Sequence, residues 1–269
     1  MRIDFKNMTQ PIITLLTDFG TRDSYAAQMK GVILGINPRA LIVDISHDIE
    51  PQAIMQGAMC LDEAFDAFPA GTIHVVIVDP DVGTTRRRIA AEVGSQRFVG
   101  PDNGLLTFLS RRHAIQRAHH LNATQFHRHP MCATFHGRDL FSPVAAHWSL
   151  GADITQFGDP VIAPLAELRV PKVDKQEREI LGEVLAIDRF GNITSNISGS
   201  DLPLEFPATI FTHIAGQQLN RLSSYYSEHP PGALLALIGS SGRLEVAQNL
   251  GNAAETLQVS VGDEVYVKW

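Results

Sequence analysis

The chain has 269 residues, of which 44% are hydrophobic and 19% are charged, and its formal net charge is −7. This composition is typical of a soluble globular protein with a sizeable core, and the length fits one large or two modest domains. The negative balance gives no long-range attraction for nucleic acid. The densest basic run, Arg86 to Arg88, is too short to define a basic face.

The cysteine count and the apolar runs indicate a cytoplasmic protein. Cys60 and Cys132 have no Cys-x-x-Cys spacing, which argues against a disulfide framework and against structural zinc. Residues 1–10 lack the apolar centre of a signal peptide. No stretch approaches the roughly 18 apolar residues that a membrane-spanning helix needs. We therefore expect no membrane partner.

The first 80 residues alternate between strand and helix patterns. Buried strands are predicted at Ile12–Leu16, Leu41–Ile45 and Ile73–Val78, and helices from Tyr25 to Ile36 and from Pro51 to Phe65. This β-α-β-α-β order predicts an α/β fold with a mostly parallel sheet that is covered on both faces.

The middle of the chain is rich in histidine. A turn at 101–104 precedes a predicted helix start at Leu105, and a second helix is predicted from Arg138 to Leu150. Seven of the eleven histidines lie between His113 and His147, but none forms a His-x-x-x-His pair with an intervening glutamate. This pattern favours structural or surface histidines over a metal site.

The sequence pattern changes after residue 160. Two prolines and the charged run 172–179 predict a linker. Short strands with tight turns follow, at 180–187, 208–214, 233–238, 243–247 and 261–267. They predict a small β-barrel or sandwich. We therefore expect two domains, an N-terminal α/β domain at 1–171 and a C-terminal β-barrel domain at 172–269.

Three carboxylates fall at the ends of predicted strands, where ligands bind in parallel sheets: Asp18, Asp44 and Asp79. Asp44 lies within an apolar run, so a structural role is the better interpretation. Asp18 and Asp79 are candidate ligand-binding residues, because each is followed by turn residues and a glycine.

The segments 79–86 and 135–139 supply a carboxylate, a guanidinium and an imidazole. Arg86 would keep Asp79 ionised, and His136 can accept or relay a proton, so the three together can orient and activate a water molecule. Such a site hydrolyses a substrate that has a good leaving group. A salt bridge that holds a loop beside an unrelated histidine explains the same residues equally well.

Six segments resemble, in order, the signatures of the S-adenosyl-L-methionine (SAM) hydroxide adenosyltransferases, which are relatives of fluorinase and chlorinase. The segments are 16–20, 78–84, 101–106, 135–139, 188–192, and 239–242 with 252–255.

The resemblance implies an N-terminal α/β domain, a C-terminal β-barrel and a homotrimer whose sites lie between subunits. It also implies hydrolysis of SAM to adenosine and L-methionine by hydroxide attack at the ribose 5′ carbon, without a metal or a cofactor. The sulfonium is then the good leaving group.

The same resemblance implies roles for individual residues. Asp79, Arg86 and His136 correspond to the water-activating triad, and Asp18 to the carboxylate that holds the ribose hydroxyls. The other implied substrate-binding residues are Phe19, Asp23, Asp188, Phe190, Asn192, Tyr226 and Ser240. Tyr226 is chosen over its neighbour Tyr225 by register.

Two positions separate this chain from its relatives. Fluorinase resembles it but has tyrosine at Asp79 and Tyr-Ser at His136-Gly137, and a carboxylate at Asp79 would repel a halide. The family usually has glycine where this chain has Asp81. If that position requires a positive φ, aspartate tolerates it better than most residues, but its charge is expected to perturb Arg86 or His136.

Other functions remain as alternatives. One is a non-catalytic sensor that binds adenosine or SAM, and another, less favoured, is a halide-using adenosyltransferase. A nucleotide hydrolase is disfavoured, because the chain has no phosphate-binding loop of the G-x-x-x-x-G-K-[ST] type.

Overall fold

The computed structural model describes residues 10–203 and 210–269. Segment 1–9, which was predicted to contain no signal peptide, and residues 208 and 209 of a predicted strand lie outside the described residues. The chain divides into two compact units, Met1–Leu168 and Arg169–Trp269. In the described part, no helix is long and apolar enough to cross a membrane.

The first unit is built on a six-stranded sheet with the order β2-β1-β3-β5-β4-β6. β1 pairs in parallel with β2 and β3, and β3 pairs in parallel with β5, whereas β4 runs antiparallel to both β5 and β6. This confirms the predicted mostly parallel α/β fold. The strands are β1 (Ile12–Thr17), β2 (Leu41–Ser46), β3 (Ile73–Ile77), β4 (Arg88–Val93), β5 (Gln96–Pro101) and β6 (Ile115–His120).

Helices cover both faces of this sheet. The longer helices are α1 (Tyr25–Ile36), α2 (Ile54–Phe65) and α4 (Ser142–Ser149), and α3 (Leu109–Arg112) is a single turn. Because side chains alternate along a strand, Leu15 of β1 packs with Met29 of α1 and Val144 of α4, while Leu16 packs with Leu61 of α2. The carboxyl ends of β1 and β3 are therefore held rigidly between two apolar layers.

Three of the predicted helices differ in the structure. The helix expected from Pro51 begins at Ile54, because Gln52 has a φ of 69°, which is outside the helical region. The helix expected at Leu105 begins at Leu109, after a turn in which Thr107 bonds to the carbonyl of Gly104.

The helix predicted from Arg138 to Leu150 has two parts. It opens as a π-helical turn, Gly137–Phe141, and continues as α4. Such wide turns are frequent at functional sites.

The second unit is an antiparallel sheet with the main order β11-β10-β14-β8-β9-β13-β12, which curls into a nearly closed barrel. This confirms the predicted small β-barrel. Ile180, Val184, Leu244, Val246 and Val265 are buried in its core. The elements are β7 (Asp174–Gln176), β8 (Glu179–Ile187), β9 (Ile193–Ser198), β10 (Phe211–Ile214), β11 (Gln217–Asn220), β12 (Leu234–Ile238), β13 (Arg243–Gln248), the short helix α5 (Ala253–Leu257) and β14 (Glu264–Lys268).

Candidate active site

Asp79 and Arg86 form a buried, two-point ion pair. The loop between β3 and β4 turns tightly at Gly83, whose φ is 87°, and it folds Arg86 back onto Asp79. Nε of Arg86 donates to Oδ1 of Asp79 at 2.5 Å, and Nη2 donates to Oδ2. The two side chains are only 7% and 4% exposed. This fork geometry fixes the orientation of the guanidinium as well as its charge.

His136 completes the triad at the entrance to the π-helical turn. Its Nδ1 lies 3.2 Å from Nη2 of Arg86. A guanidinium has no lone pair, so Nδ1 must be the acceptor, and the neutral ring therefore carries its hydrogen on Nε2. Burial lowers the pKa of His136, and the positive charges of Arg86 and Arg88 lower it further. The imidazole is therefore neutral near pH 7.

Arg86 keeps one donor unpaired. Its Nη1 is buried and has no hydrogen-bond partner among residues 10–203 and 210–269. A buried donor without an acceptor is costly and rare, so it marks a place for an oxygen that is not part of the protein. A water or hydroxide oxygen has the lone pairs that this N–H requires.

Asp18 and Phe19 lie in the loop after β1. One carboxylate oxygen of Asp18, Oδ2, accepts a hydrogen bond from the backbone N–H of Gln52 at 2.8 Å. The ring of Phe19 lies 5.8 Å from that of Tyr25 and 6.0 Å from that of Phe135, centroid to centroid. These three aromatic residues help to line a cavity of about 380 Å³, together with Gln28, Cys132, Thr134 and Arg138.

Asp23 is not part of this aromatic cavity. It is exposed, and Ser24 occupies the position before α1 without a side-chain capping bond. Asp23 makes no hydrogen bond or ion pair with the other predicted residues of the first unit, all of which lie in the described part of the chain.

In the second unit, the segment 188–192 forms a tight turn held by Asp188. Its Oδ1 accepts from the backbone N–H groups of Phe190 and Asn192 at 2.8 and 2.9 Å, and its Oδ2 accepts from the side chain of Asn192 at 2.9 Å. The ring of Phe190 is left 73% exposed. An exposed aromatic face on a rigid turn suits stacking against a planar ligand.

This turn lines a cavity of about 720 Å³. Asp188, Phe190, Asn192 and Tyr226 all line it, and their binding of substrate stays a prediction. The remaining lining residues were missed from the sequence, although Asn252 lies in one of the recognised segments: Gln248, Asn249, Leu250, Gly251 and Asn252.

Asn252 also explains the glycine of the 188–192 segment. A Cβ on Gly191 would lie 1.8 Å from the side-chain oxygen of Asn252, and the φ of Gly191 is 81°. That same oxygen caps α5 by accepting from the backbone of Glu255. The two distant segments are therefore one packed unit.

Tyr226, and not Tyr225, lines the cavity. Its hydroxyl donates to Oε1 of Glu245 at 2.8 Å. Burial, and then the bond to Glu245, raises the pKa of Tyr226 to about 12, so the phenol stays protonated. Ser240 lies in the turn between β12 and β13 and does not line this cavity.

Asp81 lies in the turn of the loop between β3 and β4 without the positive φ considered from the sequence. It is exposed, its φ is not positive, and its carbonyl accepts from Thr84 in the turn. The charged groups with the largest effect on the pKa of His136 are Arg86, Arg88, Asp79 and Asp139. An effect of Asp81 on Arg86 or His136 stays a prediction.

No metal site accompanies these residues in the part of the chain that the structure describes. There, no group of three or more histidine, cysteine, aspartate or glutamate residues is arranged to hold an ion.

Both units match known families. Residues 13–158 match the SAM hydroxide adenosyltransferase N-terminal domain, and residues 182–266 match the SAM hydroxide adenosyltransferase C-terminal domain.

Three curated relatives match nearly the whole chain. A protein of Salinispora tropica named (R)-S-adenosyl-L-methionine hydrolase is 36% identical, over 96% of this chain and 97% of the relative. A protein of the same name from Thermus thermophilus is 37% identical, over 93% of this chain and 96% of the relative. A fluorinase of Nocardia brasiliensis is more distant, at 26% identity over 97% and 98%.

A solved structure has the same fold. The crystal structure of an uncharacterized conserved protein from Thermotoga maritima is 33% identical to this chain and superposes with a TM-score of 0.89. It covers 96% of this chain and 100% of its own.

Proposed function

Since the chain belongs to the SAM hydroxide adenosyltransferase family, we propose that it hydrolyses SAM to adenosine and L-methionine. The observation that carries the proposal is the buried set of Asp79, Arg86 and His136, in which the Nη1 group of Arg86 is left without an acceptor among the described residues. Curated relatives at 36% and 37% identity carry the name of this activity.

In the proposed reaction, a water oxygen accepts from Nη1 of Arg86. The guanidinium charge favours the ionised form of that water. Hydroxide attacks the 5′ carbon, the bond from that carbon to sulfur breaks, and its electron pair becomes the second lone pair of the methionine thioether. One water is consumed and one proton is released to solvent. Opposite charges cancel as the bond forms, so a site that solvates ions poorly favours the transition state.

His136 has a more specific part in this scheme than generic acid-base catalysis. Its Nδ1 faces Arg86 and accepts from it, so that nitrogen is not free to take the proton of the water. The neutral ring instead fixes the guanidinium and offers Nε2–H as a second donor to oxygen. Asp79 holds the other edge of the guanidinium.

We assign the substrate contacts to residues of each unit. Oδ2 of Asp18 is occupied by Gln52, which leaves Oδ1 to accept from a ribose hydroxyl. Phe190 and Asn192 face the adenine, and Asp188 attracts the methionine ammonium. Phe19, Asp23, Tyr226 and Ser240 keep the substrate-binding roles that the resemblance implies, although the positions of Asp23 and Ser240 give those two no support.

The assembly and location form part of the same proposal. We place the triad in an N-terminal domain of residues 1–171 and the second wall in a C-terminal domain of residues 172–269. The protein is a homotrimer with each active site shared between neighbouring subunits, and it acts in the cytoplasm. Both cysteines are free, as suits a reducing compartment. Light scattering of the purified protein measures the subunit number.

Turnover in ¹⁸O-labelled water tests the reaction. The protein is incubated with SAM, with and without fluoride or chloride, and the products are separated and weighed by mass spectrometry. We expect equimolar methionine and adenosine, with one ¹⁸O in the adenosine and no halogenated nucleoside. If the protein binds adenosine but forms no more of it than a heat-denatured control does, the sensor alternative replaces the enzyme.

The pH dependence of kcat/KM reports on His136. Its pKa is lowered, so the neutral form persists below the ordinary value of about 6.5 and activity is lost only as pH falls through the lowered pKa. Protonation would place a hydrogen on Nδ1 opposite the Arg86 donor. The acidic limb should therefore lie below pH about 6.5. In Arg88→Gln, which lacks one of the nearby positive charges, the acidic limb should move to higher pH. A limb at higher pH in the wild type would contradict this assignment.

A further inference from the structure

His47 holds the loop that carries Asp18 from two sides. Its backbone carbonyl accepts from the N–H of Gly20 at 2.7 Å, and its Nδ1 lies 2.8 Å from the hydroxyl oxygen of Thr17. That hydroxyl in turn accepts from the N–H of Phe19 at 3.2 Å. The residues on either side of Asp18 are thus bonded to one histidine, which lies directly after β2.

The hydrogen bond with Thr17 indicates the tautomer of His47. Thr17 is fully buried, so its hydroxyl hydrogen needs an acceptor, and Nδ1 is the acceptor that lies within reach. The ring hydrogen then sits on Nε2, which lies 3.1 Å from Oδ1 of Asp44. Asp44 is itself paired with Lys30. The contact of Nδ1 with Thr17 is therefore a directed hydrogen bond, whereas the contact of Nε2 with Asp44 is close in distance but lacks hydrogen-bond geometry.

The contacts of His47 matter because Thr17 adjoins the proposed ligand-binding loop that carries Asp18. His47 is only 5% exposed, and Thr17 is completely buried, so neither is placed to meet substrate. Yet Thr17 is the last residue of β1, directly before Asp18. The carboxylate of Asp18 is held at one oxygen by Gln52 and needs its backbone fixed for the other to point at a ligand.

We propose that His47 is a positioning residue for the ribose site, acting through Thr17 on the Asp18-Phe19 loop. The inference rests on the proposed function of Asp18. Its contribution is preorganisation: the loop is ordered before ligand arrives, so binding does not pay the entropy of ordering it. The contact with Thr17 performs this role, whereas the contact with Asp44 serves to orient the ring.

Two substitutions separate those contacts. In His47→Asn, the amide oxygen can take the place of Nδ1 and still accept from Thr17, while the contact with Asp44 is lost. In His47→Gln, the longer amide reaches the place of Nε2 and keeps Asp44, while the buried Thr17 hydroxyl loses its acceptor. The two variants have similar polarity and lack the same imidazole, so each is the control for the other.

Adenosine affinity, measured by calorimetry on the full chain, is the first readout. We expect His47→Asn to bind within about threefold of the wild type and His47→Gln to bind at least about 10-fold more weakly. The second readout is hydrogen exchange of the Phe19 and Gly20 amides in the free protein, which should quicken in His47→Gln more than in His47→Asn. Thermal unfolding shows whether either variant is globally destabilised.

The outcomes separate the two proposals. Equal adenosine affinities and equal exchange rates in the two variants, with wild-type binding intact, would overturn the positioning role alone. Failure of the wild-type protein to bind adenosine would overturn the proposed function and the role of Asp18, and the positioning role would fall with them.

Discussion

Replacing His136 by alanine is expected to lower kcat for SAM hydrolysis by at least about 10²-fold, while adenosine affinity changes by less than about threefold. The reason is that His136 and Asp79 share the Nη2 group of Arg86. Without the imidazole, Nη2 of Arg86 keeps only the acceptor from Asp79, and the proposed water loses one of its two proposed donors. The proposed ribose and adenine contacts do not involve this ring, so we expect ground-state binding to be spared.

Asp18→Ala is the matched contrast for this experiment. It removes the proposed ribose acceptor and leaves the triad untouched, so adenosine affinity should fall by about 10-fold or more. His129→Ala removes an exposed histidine that lies shortly before His136 in the chain, and it controls for the loss of an imidazole as such. Steady-state kinetics and calorimetry on the three variants give the comparison. Parallel losses of turnover and affinity in both His136→Ala and Asp18→Ala would contradict the assigned roles.

Asp79→Ala should have the largest effect on stability as well as on turnover. Asp79 and Arg86 are 4% and 7% exposed, and removal of one partner leaves the other charge buried without compensation. The free energy of unfolding should fall by about 3–5 kcal/mol. Turnover should be lost too, because the guanidinium is no longer held against His136.

A double-mutant cycle distinguishes an uncompensated charge from a general packing defect. The double variant Asp79→Ala, Arg86→Ala removes both charges and should recover part of the stability that Asp79→Ala loses, although it remains inactive. Urea unfolding of the four proteins at one pH provides the free energies. A double variant that is less stable than either single variant would show that the pair contributes mainly by packing.

Local patterns account for the elements that were predicted well. The apolar runs beginning at Ile12 and Ile73 became β1 and β3, and the helical spacing after Tyr25 became α1. These features depend on side-chain periodicity over a few residues, which a sequence carries directly. The hairpin of β4 and β5 was missed because its strands are interrupted by charged residues and are stabilised by pairing with each other.

At the candidate site, too, the sequence determined some features and the tertiary structure determined the others. The sequence alone determined the residue types: a carboxylate after β3, an arginine seven positions later and a histidine beside a glycine. It did not decide between two interpretations of these residues, a structural salt bridge and a water-activating triad. Only the tertiary structure brought Nη2 of Arg86 to both partners, left Nη1 buried and unpaired among the described residues, and placed the hydrogen of His136 on Nε2. Those properties arise from contacts between segments 50 residues apart. The position of His47 behind Asp18 arises in the same way, from strand pairing that no local pattern encodes.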